Sequence, residues 1–157
     1  MKKISLLLII FSFLISGCGF KVLDNSKRND FLIKNISSSG EKRINYKIKS
    51  FLLSNTNSGS QNNRLILNLF TKKNKSIKEK NIKNEVSKYS LEINVTVNLD
   101  LLDRNFKKSF NVSAKGDYLV GKTYSSTLTN EKKTMENIVE EVSNDIIEKI
   151  GIILNDI

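Results

Sequence analysis

Tyr89-Ser-Leu-Glu-Ile-Asn-Val-Thr-Val-Asn-Leu-Asp-Leu101 is the stretch on which the fold turns. Tyr89, Leu91, Ile93, Val95, Val97, Leu99 and Leu101 alternate with Ser90, Glu92, Asn94, Thr96, Asn98 and Asp100. Successive side chains of a strand point to opposite faces. Strict alternation over this length therefore describes a β-strand with one buried and one polar face. Asp103-Arg104-Asn105 supplies a turn. Phe106 to Val120 then returns with Phe106, Phe110, Val112, Ala114, Tyr118 and Val120 on one face. The two runs predict a long hairpin, and at about 3.3 Å per residue each arm reaches about 40 Å.

On the N-terminal side, Arg64 to Phe70 reads as a strand with Leu65, Leu67 and Leu69 on one face. Ile66 and Phe70 lie on the other, which predicts a strand covered at least in part on both sides. Thr71 to Asn84 is polar and holds Lys72, Lys73, Lys75, Lys78, Lys80 and Lys83. It reads either as a flexible loop or as the solvated end of a long hairpin. Asn55 to Asn63 is a Ser/Asn/Gly loop. From Glu41 to Leu53 the apolar residues Ile44, Ile48, Phe51 and Leu52 fall on one helical face, with Lys42, Arg43, Lys47 and Lys49 elsewhere. Phe31 to Ile36 is a strand candidate, and Ser37-Ser-Ser-Gly40 reads as a turn and helix start. Phe20 to Leu23 is a further short strand candidate.

At the C-terminus the period changes. Met135, Ile138, Val139, Val142, Ile146, Ile150, Ile153 and Leu154 follow helical spacing. Thr129 is the expected N-cap, with Glu131 and Glu136 early, where the helix dipole favours carboxylates. Such a helix of about 25 residues is about 37 Å long and matches the hairpin. The economical architecture is an α+β two-layer sandwich. Two helices pack on one face of a mixed four-stranded sheet with long strands. Glu92, Asn94, Thr96 and Asn98 line the other, polar face.

Composition narrows the chemistry. The chain has 157 residues, the length of one domain. It has one Cys and no His. One cysteine makes neither an internal disulfide nor a Cys-rich zinc site. Without His there is no Ser-His-Asp or Cys-His catalysis and no imidazole metal ligand. Glu140, Glu141 and Asp145 lie off the apolar face of the last helix and carry no catalytic partner. No enzyme, catalytic residue, metal site or dissociable cofactor is expected. The net charge is +10, and 22 of the 26 cations are Lys. Lys, Asn and Ile have AT-rich codons, so genomic bias and a functional basic face both remain open as its source. The charge permits an anionic partner such as nucleic acid, anionic lipid or lipopolysaccharide, without choosing among them.

The N-terminus assigns a compartment. Lys2 and Lys3 precede an apolar run from Ile4 to Ile15, broken only by Ser5 and Ser12. This run is too short for a membrane span, which needs about 20 residues, and reads as a secretory signal. It ends Leu14-Ile15-Ser16-Gly17-Cys18, which resembles a bacterial lipobox. The small residues let the backbone enter a peptidase cleft, and the only thiol in the chain stands where a diacylglycerol would be attached. Residues 1–17 are then a lipoprotein signal peptide, and 18–157 a single domain anchored by the covalent N-acyl diacylglycerol on Cys18. Loss of Lys2 and Lys3 takes 26 cations to 24 and the net side-chain charge to +8. Gly19 follows Cys18, where bacterial lipoproteins retained in the inner membrane commonly carry Asp. The expected place is the periplasmic side of the outer membrane, in contact with its lipid. Export disfavours nucleic acid as partner.

Gly17-Cys18-Gly19-Phe20 resembles the Cys-Gly-aromatic start of the LptE family of lipopolysaccharide-assembly lipoproteins. The order of elements across the mature chain is similar too. Tyr89 to Val97 resembles the family's third long strand. Ser113-Ala-Lys-Gly-Asp-Tyr118 and Asn137-Ile-Val-Glu-Glu-Val142 resemble the segments after it. The resemblance implies two helices on a four-stranded sheet and no catalysis. It also implies a one-to-one complex in which the chain plugs the outer-membrane barrel LptD and assists lipopolysaccharide assembly. A polar sheet face suits a hydrated barrel lumen, and a basic surface suits anionic lipid A. By the same resemblance, lipopolysaccharide is met near the hairpin tip by Lys78, Lys80 and Lys83, and near the start of the last helix by Lys132 and Lys133. The other reading is a stand-alone outer-membrane lipoprotein that stabilises the envelope or binds periplasmic partners. Cys18→Ala is expected to move the chain from the membrane pellet to the soluble periplasmic fraction. Its retention in the pellet would refute the lipid anchor.

Overall fold

The computed structural model describes residues 31–56 and 63–157. The Phe20 to Leu23 strand candidate and Cys18 lie outside them. The described elements are β1 (Leu32–Gly40), α1 (Lys42–Asn55), β2 (Arg64–Lys80), β3 (Val86–Leu101), β4 (Phe106–Leu119) and α2 (Tyr124–Asn155). The sheet order is β1-β2-β3-β4. β1 and β2 are parallel and the other neighbours antiparallel, so the sheet is mixed, as expected. A parallel pair cannot be joined by a tight turn, and α1 provides the crossover.

One row of side chains organises the interior. Leu91, Ile93, Val95, Val97, Leu99 and Leu101 of β3 are all buried. Opposite them stand Leu65, Leu67 and Leu69 of β2 and Val112, Ala114 and Tyr118 of β4. Both helices cover this face. α1 contributes Ile44, Ile48 and Leu52, and α2 contributes Ile138, Val139, Val142, Ile146, Ile147 and Ile150. This is the expected α+β arrangement of two helices on one face of a four-stranded sheet.

Two boundaries differ from the sequence reading, one open alternative is resolved, and one face is more exposed than expected. Ser37-Ser-Ser-Gly40 is the second half of β1, paired with Asn68 to Thr71, and not a turn. Serines suit an exposed edge strand, and the Ser37 hydroxyl donates to the Asn68 side-chain oxygen across the pair. Of the two readings for the Thr71 segment, the solvated end of a long hairpin is the one found: Thr71 to Lys80 is the outer arm of β2, paired with β3 as far as Val86. Asn81 closes the tip, where its side-chain oxygen accepts the backbone N–H groups of Lys83 and Glu85, each at 2.9 Å. The N-cap of α2 lies six residues earlier than Thr129. Thr123 caps it by accepting the Ser126 N–H at 3.1 Å, while Ser126 Oγ accepts the Thr123 N–H at 3.1 Å. Thr129 lies inside the helix and donates to the Ser125 carbonyl. Finally, the second face of β2 is covered less than expected, with Ile66 half-buried and Phe70 53% exposed.

A buried polar contact fixes the place where β1 ends. The Thr71 hydroxyl donates to the side-chain oxygen of Asn45, and Asn45 Nδ2 donates to the Ser39 carbonyl at 2.9 Å. Both residues are buried. Each satisfies the other, which removes the cost of desolvating them alone.

Leu99→Ala empties a fully packed position and is expected to cost about 2–5 kcal/mol. Asn98→Ala, one residue away on the open face, is expected to change stability by less than about 0.5 kcal/mol. Urea unfolding measures both, and similar costs at the two positions would contradict the one-sided core.

Candidate functional site

Period 2 in β2 does not stop where the apolar residues do. After Leu65, Leu67, Leu69 and Thr71, the same face receives Lys73 and Lys75. Lys75 stands beside Leu91 of β3, and Tyr89 and Tyr118 pair one step further out. The two tyrosine rings stack with centroids 5.6 Å apart. The Lys75 ammonium lies 4.5 Å from the Tyr89 ring centre and 5.2 Å from that of Tyr118, a double cation–π contact.

Glu131 of α2 closes this group from above. Its Oε2 accepts Lys75 Nζ at 2.8 Å and the Tyr118 hydroxyl at 2.8 Å, and Lys73 Nζ is 3.9 Å from Oε1. Burial raises the Glu131 pKa, but the hydrogen bonds from Lys75 and Tyr118 and the charges of Lys75 and Lys73 outweigh it, leaving it below the ordinary value. Burial likewise lowers Lys75, and its bonds to Glu131 and Tyr118 outweigh that and raise it. Tyr118 is raised, first by burial. The clamp ties the outer arm of the hairpin to the second turn of α2. Glu131 therefore acts through this contact, beyond the first helical turn where the dipole is felt. Glu136 similarly bonds Lys47 of α1 at 2.8 Å and joins the two helices.

The five lysines assigned to lipopolysaccharide fall into two groups. Lys78, Lys80 and Lys83 are exposed at the hairpin end. Lys78 pairs with Asp117 of β4, which raises Lys78 and lowers Asp117. Lys80 Nζ donates to Asn84 Oδ1 at 3.1 Å. Lys132 and Lys133 are exposed on α2 next to Glu131, in its third turn and not at its start. Their turn leans on β4: Thr134 packs against Gly116, and its hydroxyl donates to the Asp117 carbonyl at 3.4 Å. Lys73 and Lys75 were not singled out in the sequence reading. Extending the Leu65-Leu67-Leu69 alternation would have placed them under the helix.

The opposite sheet face is polar and has no described element over it. Its rows include Ser37, Asn68, Asn74, Glu92, Asn94, Thr96, Asn98, Asn111 and Ser113. Lys107 meets Asp100 on it at 3.2 Å, and Asn74 donates to Glu92 at 3.4 Å. Among the described residues no helix is long and apolar enough to cross a membrane, and no three metal-ligating side chains come together.

The pH dependence of the clamp follows from Glu131. Its lowered folded pKa adds stability that is full above the unfolded value of about 4.3 and is lost as pH falls through the folded one. Glu131→Gln should cost about 1–2 kcal/mol at pH 7 and flatten the loss of stability below pH about 4.3. Equal acid limbs for the two proteins in urea titrations would remove Glu131 from that role.

No family model matches the chain, and no curated protein matches its sequence. Solved structures do match its fold. Rare lipoprotein B from Shewanella oneidensis superposes with a TM-score of 0.59 at 15% identity, over 78% of this chain and 97% of that one. Lipoprotein B from Nitrosomonas europaea gives 0.60 at 13%, over 88% and 94%. A candidate lipoprotein from Caulobacter crescentus gives 0.56 at 12%, over 84% and 95%. At such identities the likeness is one of fold, and this chain shares the fold of these bacterial lipoproteins over nearly their whole length.

Proposed function

We propose that this chain is an outer-membrane lipoprotein of the LptE type, held by an acylated Cys18 on the periplasmic side. In this reading it plugs the barrel LptD and assists it in assembling lipopolysaccharide. The observation that carries the proposal is the bare polar sheet face, about 50 Å long at the 16 residues of β3. A face that is mostly Asn, Ser, Thr and charged residues, with the exposed Phe70 among them, gains little by burial in an apolar interface, and it matches the polar, hydrated lumen of a large barrel.

Two further features support the reading. The fold is that of rare lipoprotein B, which is of the LptE family. The exposed lysines at the hairpin end and on α2 are suited to lipid A phosphates, which they would meet as charge-assisted hydrogen bonds. Lys78 is already engaged by Asp117, so the proposed anion contact rests on Lys80, Lys83, Lys132 and Lys133. None of these four has a carboxylate ion pair among the described residues.

Mild-detergent extraction of the tagged chain tests both parts. Wild type and a Lys80→Glu, Lys83→Glu, Lys132→Glu, Lys133→Glu variant should each co-purify one large β-barrel protein in equal amount. The variant should bind at least about tenfold less lipopolysaccharide at physiological salt, since four reversed charges oppose an anionic ligand. Absence of any barrel favours the stand-alone lipoprotein. Equal lipopolysaccharide affinity removes the four lysines from the site and leaves the plug reading in place.

A further inference from the structure

β2 pairs with β3 along almost all of its length, but with β1 only as far as Thr71. From Lys72 to Lys80 one side of β2 has no strand beside it among the described residues. Two hydrogen bonds fix which backbone groups face that side. The Arg64 carbonyl accepts the Leu102 N–H at 2.9 Å, toward β3. The Thr71 carbonyl accepts the Glu41 N–H at 3.2 Å, toward β1. Alternation therefore turns the N–H and C=O groups of Lys73, Lys75 and Ile77 to the open edge, as far as the irregularity after Ile77.

The edge is open because the chain leaves it. Gly40 ends β1 with φ of +91°, and a Cβ built there would stand 2.0 Å from the Thr71 carbonyl oxygen. Only glycine lets β1 turn away into α1 at this point. The abandoned edge is also held in place. β3 supports it from one side, and the bonds of Lys73 and Lys75 to Glu131 fix its helix-facing side.

Its charge selects what can pair with it. The segment carries Lys72, Lys73, Lys75, Lys78 and Lys80 against Glu79; Glu131 offsets Lys73 and Lys75, and Asp117 offsets Lys78, which leaves Lys72 and Lys80 to set the charge of the edge. An unpaired strand edge is a template for another strand, and lysines on it repel a strand of like charge. A second copy of this edge is repelled in the same way. An acidic strand is attracted.

We propose that the Lys72–Lys80 edge of β2 accepts an extended acidic segment of a partner protein as an added strand. The main chain of Lys73, Lys75 and Ile77 provides the hydrogen bonds, and Lys72 and Lys80 select acidic side chains. The inference does not depend on the barrel-plug reading, because a chain that binds no barrel still presents this edge.

Residue-resolved hydrogen exchange on the full chain in detergent tests it. The probe is a nine-residue peptide of alternating Val and Glu, and the control has Lys in place of Glu. With the acidic peptide at about ten times its dissociation constant, exchange at Lys73, Lys75 and Ile77 should slow about tenfold. The lysine peptide should have no effect. Ile77→Pro removes one edge donor without touching a bond to β3 and should abolish protection, while the Val95 and Val97 amides report that the sheet is intact. Lys72→Glu, Lys80→Glu, whose positions are exposed, should reverse the preference between the peptides. Unprotected edge amides with the acidic peptide would overturn the proposal, as would equal protection by the lysine peptide. Protection that rises with protein concentration alone, or that appears only with lipopolysaccharide micelles, would also overturn it.

Discussion

The register between β2 and β3 is the constraint on which the rest depends. It places Leu65 opposite Leu101 and Leu69 opposite Val97, so the leucines and valines of both strands share one face. A slip of one residue would turn the whole β3 row toward water. The same register sets Lys75 against Leu91 and Ile77 against Tyr89. The apolar row and the lysine row are therefore one continuous stripe, and α2 must present isoleucine and valine to the first part and Glu131 to the second.

Elements written in side-chain periodicity were legible. The alternation from Tyr89 to Leu101 gave β3 nearly whole, and the isoleucines and valines after Met135 gave the buried part of α2. Elements set by backbone bonds were not. Ser37-Ser-Ser-Gly40 has turn composition, but β2 offers it a parallel partner, and pairing overrides local preference. The first turns of α2 bury little, so no apolar period reveals them. The cap is marked only by Thr123 and Ser126, a weaker signature than a glutamate at the third position. Asn45 sits beside the apolar stripe and is buried because Thr71 and the Ser39 carbonyl bond it, a long-range match no local window contains.

The candidate site was legible in its composition and not in its arrangement. The lysine run of 72–83 was evident, but treating it as possible loop hid the face of each residue. Once it is strand, the residues divide. Lys73 and Lys75 turn under α2, Lys78 turns to Asp117, and Lys80 and Lys83 remain at the tip. The net charge of the chain therefore overstates its free cations. Exposed pairs such as Lys88–Glu79 and Lys107–Asp100 add only about 0–1 kcal/mol each to stability, yet they lower the charge seen by an anionic ligand.

The geometry also separates the two ends of the molecule. The chain enters the sheet at Leu32, opposite Arg64, where the Arg64 guanidinium bonds Asp103 at 2.5 Å and 2.8 Å. The lysine tip at residues 81–85 is the other end of β2, about 55 Å away at 17 residues. A fully extended segment from Cys18 to Phe31 reaches only about 45 Å. An acylated Cys18, as proposed, would therefore stay at least about 10 Å from the tip however the domain is oriented. If it stands away from the membrane, the tip addresses material arriving across the periplasm. If it is enclosed by a barrel, the tip points along the lumen. Both orientations would keep the basic end apart from the proposed acyl group on Cys18, and the long hairpin, more than the charge alone, is what would create that separation.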